Sequence, residues 1–203
     1  ETAKNATFSD KDRVKDMLNF ISSDIEKSLI QNGHLLSMSN AAAQINNISA
    51  TNDYASGINF ITNTSKLSNN IDKNNELKKY VELLESIKSK INPIPSLSFT
   101  ASSTDMSESK INFQLKNKDT AFCTQNYFDI QEESIGWITG AQVTYCAEAF
   151  PTVDFFHNDA PALSVLGAVL RNGYLHTAIR EKGGAYGSGA MQDSNNKVFK
   201  FFS

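Results

Sequence analysis

The spacing of apolar residues changes after Pro93 and Pro95, and that change limits the fold of this chain more than any other feature. Before Pro93 and Pro95, apolar side chains recur at steps of three and four residues, the period of one face of an α-helix. After the two prolines, Leu97, Phe99 and Ala101 alternate with Ser and Thr, as in a half-buried strand. Helices and strands in separate stretches of one chain are typical of the α+β class, so we predict an α+β fold.

Helices are predicted wherever the helical period is sustained. Ser9 and Asp10 can cap the first of them, because their side-chain oxygens accept hydrogen bonds from the first turn. Asn32-Gly33 can end it, since Gly takes a positive φ without strain. The apolar stripe of this helix consists of Val14, Met17, Leu18, Ile21, Ile25 and Leu29. The predicted helices cover residues 9–32, 34–44 and 71–91.

Two stretches leave alternatives open. Residues 46–64 are rich in Asn, Ser and Thr, which hydrogen-bond their own backbone and favour turns, although residues 54–61 could form a short helix. In residues 111–115 the apolar side chains alternate as in a strand, but the same residues could form a short helix.

The last third of the chain reads as strand, helix, strand, strand. Asn158-Asp159-Ala160-Pro161 is a strong helix start, because a capping side chain precedes a proline in the first turn. The helix stripe consists of Leu163, Leu166, Val169, Leu170, Tyr174 and Ile179. The predicted elements are strands at 97–103 and 137–150, a helix at 159–181, and strands at 184–191 and 197–203. We therefore expect a helix-rich unit over 1–118 and an α+β unit over 119–203, with the boundary between 93 and 136.

Composition excludes several classes of function. The 203-residue chain has a net charge of −3 with interspersed signs, which argues against nucleic acid as its main partner. No apolar run is long enough for a membrane span, so no membrane partner is expected. Cys123 and Cys146 stand in unrelated apolar surroundings without C-x-x-C spacing, which predicts two reduced, core-like thiols.

The sequence contains no pattern of a resident metal or of a common nucleophile. His34, His157 and His176 have no acidic or histidine partner at i+3 or i+4, so we expect structural or solvated roles and no metal ligand in this chain. Gly187-Ser188-Gly189 is too short for a nucleophile elbow and lacks the lysine of a phosphate-binding loop.

The glycine-rich stretch at 183–189 has two interpretations. It can be a tight turn from helix to strand, with small residues where another backbone passes close. Alternatively, it can bring Arg180 and Tyr186 from its two sides into one volume. A guanidinium and a phenol are donors suited to a peptide carbonyl, or to the oxyanion that forms from it.

Three segments resemble the second half of pitrilysin-family zinc metallopeptidases of the presequence-protease type. They are Asp159-Ala160-Pro161-Ala162-Leu163, the run from Leu170 to His176, and the run from Ile179 to Gly187, which has the form R-x-x-G-G-A-Y-G. Residues 8–43 are more loosely similar to the helical region of the third domain of those enzymes. The resemblance implies two homologous halves that close around an unfolded peptide. It also implies that Arg180 and Tyr186 contact the substrate as catalytic residues.

The same resemblance sets the expected role of this chain. In those enzymes an H-x-x-E-H motif in the first half binds zinc, and this chain contains no such motif. We therefore expect a C-terminal half, truncated at its end, that binds unstructured peptide but is inactive alone. Zinc and the other partner, the zinc-bearing N-terminal half, would belong to the parent. The alternative is an inactive structural or interaction subunit of the same fold.

Two further expectations follow from this interpretation. Residues 198–203 look like a strand just begun, so unpaired strand edges could let the chain self-associate. Reduced thiols fit a bacterial cytoplasm or an organelle matrix equally well.

Overall fold

The computed structural model describes residues 6–90, 128–131 and 133–203. The first of these ranges is helical throughout most of its length. Its helices are α1 (Lys11–Gln31), α2 (Gly33–Ala43), α3 (Asn47–Ser56), α4 (Ile58–Asn70) and α5 (Glu76–Lys90).

Helices α1, α2 and α5 lie close to the predicted ranges. The Asp10 carboxylate caps α1 by accepting a hydrogen bond of 3.0 Å from the backbone N–H of Arg13, as the sequence predicts. Asn32 separates α1 from α2, and its backbone N–H bonds to the carbonyl of Ser28. Helix α5 begins at Glu76 rather than at 71, because Asn74 and Asn75 adopt positive φ angles and form a turn.

The prediction of turns over residues 46–64 is wrong, since α3 and the first half of α4 occupy them. The helix left open at 54–61 is present in part, as the end of α3 and the start of α4. A buried polar cluster explains why helices form there instead of turns. The Asp53 carboxylate is fully buried and accepts hydrogen bonds from the Asn59 side chain at 2.6 Å, the Asn40 side chain at 3.4 Å and the Ile58 N–H at 3.3 Å. These bonds join α2, α3 and α4, and local preferences for turns do not reveal them.

An apolar cluster beside these bonds holds the helices together. It consists of Leu36, Ile58 and Ile61, with Ile25 and Leu29 packed against it. Leu36 lies on α2, Ile58 and Ile61 lie on α4, and the other two belong to the stripe predicted for α1. Burying each such side chain stabilises the fold by about 1.5–3 kcal/mol relative to leaving it exposed.

The predicted strand at 137–150 is also wrong over most of its length. The chain between 128 and 146 forms no regular element in the described residues, and strand β1 covers only Ala147–Pro151. We call residues 128–131 and 133–146 the strap. Side chains of the helical region hold the strap, and this tertiary contact overrides the alternation of its apolar residues.

The strap runs antiparallel to α2. The Asn47 side chain accepts from the N–H of Phe128 at 3.1 Å, the Gln44 side chain from the N–H of Glu133 at 2.6 Å, and the Asn40 side chain from the Trp137 indole at 3.1 Å. At the other end the Tyr145 hydroxyl donates to the carbonyl of Ile30 at 3.0 Å. The Tyr145 ring also lies so close to Gly33 that a Cβ there would overlap it.

A three-stranded antiparallel sheet follows, in the order β1-β3-β2. Strand β2 is Gly189–Asp193 and β3 is Val198–Phe202, so the predicted strand at 184–191 begins later and the predicted strand at 197–203 lies close to β3. In the middle of the sheet, Lys200 of β3 is opposite Ala149 of β1 and Met191 of β2. The predicted strand at 97–103 and the open alternative at 111–115 lie outside the described residues.

The sheet packs between two helical layers. Helix α2 contacts β1 and β3 on one side, where the His34 and Phe202 rings lie 6.3 Å apart. Helix α6 (Ala160–Leu170) and the π-helix that continues it (Arg171–Glu181) contact β2 on the other. Leu175, Ala190 and Phe199 form the core there. Within the described residues the fold is therefore α+β, with a small antiparallel sheet.

The helix predicted at 159–181 is present, but its second half has π-helical hydrogen bonds. Wider turns change which residues face the sheet: Leu175, five residues after Leu170, is buried, whereas Tyr174 is 73% exposed. Leu166 and Val169 are exposed as well. Placing Tyr174, Leu166 and Val169 on the buried stripe was therefore wrong.

The prediction of core-like thiols is wrong for Cys146, which is exposed at the end of the strap. Cys123 lies outside the described residues. Among the helices of the described ranges, none combines the length and the apolar character that crossing a membrane requires.

Candidate functional site

The π-helix ends in a turn that folds the chain back on itself. The N–H of Lys182 bonds to the carbonyl of Thr177 at 3.1 Å, a step of five residues. Gly184 then adopts a φ of +74°, which glycine tolerates because it has no Cβ. The N–H of Gly184 bonds to the carbonyl of Arg180 and that of Ala185 to the carbonyl of Ile179, both at 3.1 Å. The last carbonyls of a helix have no partner within it, and this turn supplies donors to two of them.

The returning segment stays beside the helix after the turn. The Ser188 hydroxyl donates to the carbonyl of Leu175 at 3.2 Å, and β2 begins at the next residue. Residues 185–188 thus run back along the helix end, from Ile179 towards Leu175. This is the arrangement on which the interpretation of Arg180 and Tyr186 depends.

Arg180 and Tyr186 lie on the two sides of that turn. Arg180 is exposed in the last turn of the π-helix, and Tyr186 is 97% exposed in the returning segment. Within the described residues neither side chain makes a hydrogen bond, and no contact joins the guanidinium to the phenol. The structure brings their backbones together, while both side chains offer their donors to solvent.

A histidine and a glutamate form a pair at the same helix end. The Nδ1 of His176 lies 3.3 Å from a carboxylate oxygen of Glu181, five residues later. The sequence does not predict this pair, because α-helical spacing tests only i+3 and i+4. In the sequence the pair is marked only by an acidic residue five positions after the histidine. That spacing brings side chains together in a π-helix but not in an α-helix.

A shallow cavity of about 320 Å³ opens beside β2 but does not include the predicted residues. Its lining comes from α6, the start of the π-helix and β2: Ser164, Ala168, Arg171, Asn172, Ala190, Met191 and Gln192. Arg180 and Tyr186 are exposed and do not line this cavity. A substrate that contacts them would have to be held partly by something else.

The face of the sheet that carries Lys200 holds a second charged pair. Lys200 donates to the Asp193 carboxylate at 2.7 Å, and Asn196 donates to it from its side chain at 2.8 Å and from its N–H at 3.2 Å. Burial acts to raise the pKa of Asp193, but these hydrogen bonds and the Lys200 charge together hold that pKa below its usual value. Because every polar group here is paired, the cluster fits a structural role.

The described residues do not fit a zinc ion. No three His, Cys, Asp or Glu side chains in ranges 6–90, 128–131 and 133–203 lie close enough together to hold a metal. Zinc in proteins takes three or four such ligands. No chemical step below therefore passes through a metal held by this chain.

Comparison with known proteins adds the family context. The family described as peptidase M-16C associated matches residues 1–67. The mitochondrial presequence protease of Yarrowia lipolytica is 26% identical over 218 aligned residues, which cover 100% of this chain and 21% of that protein. The chain is similar to a part of presequence protease.

Two further relatives carry the same name. The mitochondrial presequence protease of Drosophila melanogaster is 29% identical over 100% of this chain and 20% of its own length. That of Emericella nidulans is 48% identical, over 30% of this chain and 6% of its own length. The chain spans about a fifth of the length of the relatives that cover it fully. These matches support a peptidase-related fragment, as the sequence predicted.

Proposed function

We propose that this chain is the substrate-binding part of the C-terminal half of a presequence-protease-like zinc metalloendopeptidase. The observation that supports the proposal is the turn at Gly184, on whose two sides Arg180 and Tyr186 are exposed to solvent. Similarity to presequence proteases along the full chain supports the assignment to a peptidase. We assign the sheet with α6 and the π-helix to a pitrilysin-type α+β unit.

The two donors suit the hydrolysis of a peptide bond in different ways. Hydrolysis converts a carbonyl oxygen into an oxyanion, so a donor aimed at the oxyanion stabilises the transition state more than the ground state. The phenol of Tyr186 would donate to that oxygen. The guanidinium of Arg180, a planar fork of donors, would hold a neighbouring backbone carbonyl of the substrate.

Neither residue can complete the reaction on this chain alone. Both are exposed and lie outside the cavity beside β2, so we assign the opposite wall of the binding chamber to another part of the parent. We assign zinc and its H-x-x-E-H motif to that other half. The substrate would be a short unstructured peptide, and the location an organelle matrix, in keeping with the mitochondrial relatives.

The test is steady-state hydrolysis of an unstructured peptide by the full-length parent and its variants. We expect Tyr186→Phe to lower kcat by about 10²- to 10³-fold with little change in KM, the usual effect of removing one oxyanion donor. Arg180→Ala should also raise KM. Tyr174→Phe and Arg171→Ala are matched controls, since both residues are exposed on the same helix, and they should leave kcat within a few-fold.

A structural or interaction subunit is the competing function, and the same measurements separate the two. If the folded variants Tyr186→Phe and Arg180→Ala hydrolyse peptide at near wild-type rates, the proposal is overturned and the glycine turn has only a structural role. A second measurement tests peptide hydrolysis by the isolated 203-residue chain. We expect it to show no peptide hydrolysis, and activity of the pure chain would contradict the division of roles.

A further inference from the structure

Glu181 reaches His176 only because the helix has π-helical turns. In an α-helix, residues five apart are separated by about 140° around the axis and face different directions. In a π-helix the hydrogen bond joins residues five apart, so their side chains are stacked on one face. Lys182 bonds to Thr177 in this way, and His176 and Glu181 lie 3.3 Å apart at the preceding step.

This pair sits beside the proposed catalytic residues. Glu181 directly follows Arg180, and His176 lies four residues before it on the same helix. The carbonyl of Arg180 also accepts the N–H of Gly184, whose turn leads to Tyr186. A contact that fixes the rotation of the last helical turn therefore fixes both the starting direction of the Arg180 side chain and the position of the glycine turn.

We propose that Glu181 is a positioning residue that orients Arg180 and Tyr186 through its contact with His176. The inference rests on the proposed function, because it assigns Glu181 a role in the same reaction without contact to the substrate. The two side chains are 42% and 56% exposed, and exposed ion pairs contribute little to stability. The consequence of the pair should therefore appear in the rate of hydrolysis rather than in the stability of the fold.

The experiment compares Glu181→Ala, His176→Ala and the double variant in the full-length parent. Because an exposed contact of this kind contributes little free energy, it favours the productive orientation only modestly, and we expect each single variant to lower kcat by about 2- to 5-fold. The double variant should be no slower than the slower single variant, because both changes remove one contact. Thermal midpoints should shift by less than about 4 °C. Lys182→Ala, at the next exposed position, is the control and should leave kcat unchanged.

A change of spacing tests the π-helical geometry itself. The variant His176→Ala with Ala178→His places the histidine three residues before Glu181, a spacing that an α-helix brings together and that the wider turns of a π-helix separate. We expect this variant to stay as slow as His176→Ala. Recovery of kcat by the moved histidine would overturn the inference, as would additive losses in the double variant.

The outcomes also separate this inference from the proposed function. If Arg180→Ala and Tyr186→Phe are slow while Glu181→Ala is as fast as the wild type, the positioning role fails and the proposed function stands. If Arg180→Ala and Tyr186→Phe hydrolyse peptide at wild-type rates, the proposed function fails first, and the positioning role fails with it.

Discussion

At the scale of single residues, hydrogen bonding separates structural polar groups from those free to act. Asp53 and Asp193 are buried or partly buried, and each accepts several hydrogen bonds from described neighbours. Arg180 and Tyr186 are exposed, and in the described residues their side chains bond to none. A buried acceptor without a partner would cost about 1–3 kcal/mol, whereas an exposed donor keeps its water and can exchange it for a substrate.

Asp193 should make the stability of the fold depend on acid pH. Its pKa in the folded state is lowered, so the ionised carboxylate contributes stability that is present above the pKa of an unfolded aspartate, about 3.9, and is lost as the pH falls through the folded value. We expect Asp193→Asn to lower the free energy of unfolding at pH 7 by about 1–3 kcal/mol and to flatten the acid branch of the curve. Urea unfolding between pH 2.5 and 7 measures this.

Asp24→Asn is the control for that experiment, because Asp24 is exposed in the middle of α1. It should leave both the midpoint and the acid branch nearly unchanged. An acid branch of wild-type shape in Asp193→Asn would show that other carboxylates determine the pH dependence.

At the scale of elements, the approach of α6 to β2 depends on a missing side chain. A Cβ built on Gly167 would lie 3.1 Å from the carbonyl oxygen of Ala190 and 3.2 Å from the Cα of Met191, tighter than ordinary contact. The helix backbone therefore rests directly on the strand. Gly173, six residues later, has open space around its Cα and no such contact.

These two glycines make a matched pair for mutation. Gly167→Val should lower the free energy of unfolding by about 1–3 kcal/mol, because a branched side chain has to push α6 away from β2. Gly173→Ala should leave stability unchanged or raise it by up to about 1 kcal/mol, since it restricts the unfolded chain without meeting a neighbour. Chemical unfolding of the purified variants gives both values, and equal effects would contradict the close approach.

Sequence predicts the elements whose signal is local and misses those that depend on distant contacts. The N-cap of α1 and the proline start of α6 are local, and both helices lie where they were predicted. Two details of α1 are wrong, since Met17 and Ile21 of its stripe are exposed and Gly33 begins α2 without a positive φ. Helices α3 and α4 depend on the buried bonds to Asp53, and the strap depends on amide side chains of the helical region. Neither contact can be deduced from the spacing of apolar residues.

The candidate site shows the same division. Arg180 and Tyr186 stood out because two donors flank a glycine pair, and the structure places them on the two sides of a turn. Their role stays a prediction. The pair of His176 and Glu181 could not be found, because the spacing of the apolar stripe predicts an α-helix and does not indicate π-helical turns.

At the scale of the molecule, α2 is shared by both parts of the chain. It packs on α3 and α4 on one side and on β1 and β3 on the other, and the strap runs along it. The turn between β2 and β3 is also tied to α3, since the side chains of Asn46 and Asn52 donate to Asn196 at 2.7 and 3.0 Å. These contacts predict that the described regions unfold together.

The single tryptophan allows a direct test of this cooperativity. Trp137 fluorescence reports on the strap and far-ultraviolet circular dichroism reports on the helices, so their urea unfolding curves should coincide. Asn40→Ala should lower the free energy of unfolding by about 1–3 kcal/mol, because it removes the acceptor of Trp137 and a donor to Asp53. Both midpoints should therefore shift together. Ser23→Ala, at an exposed position of α1, is the control. Separate transitions would show that the strap detaches before the helices melt.

The chemistry of the strap contacts determines which solvents can loosen them. Asn40, Gln44 and Asn47 bind the strap through side-chain amides, which carry no net charge and do not titrate. Mobile ions screen exposed charges over about 10 Å at 0.1 M, but they change the strength of a neutral hydrogen bond little. The junction between the helices and the sheet is thus insulated from ionic strength, because the contacts that hold the strap carry no charge for the ions to screen.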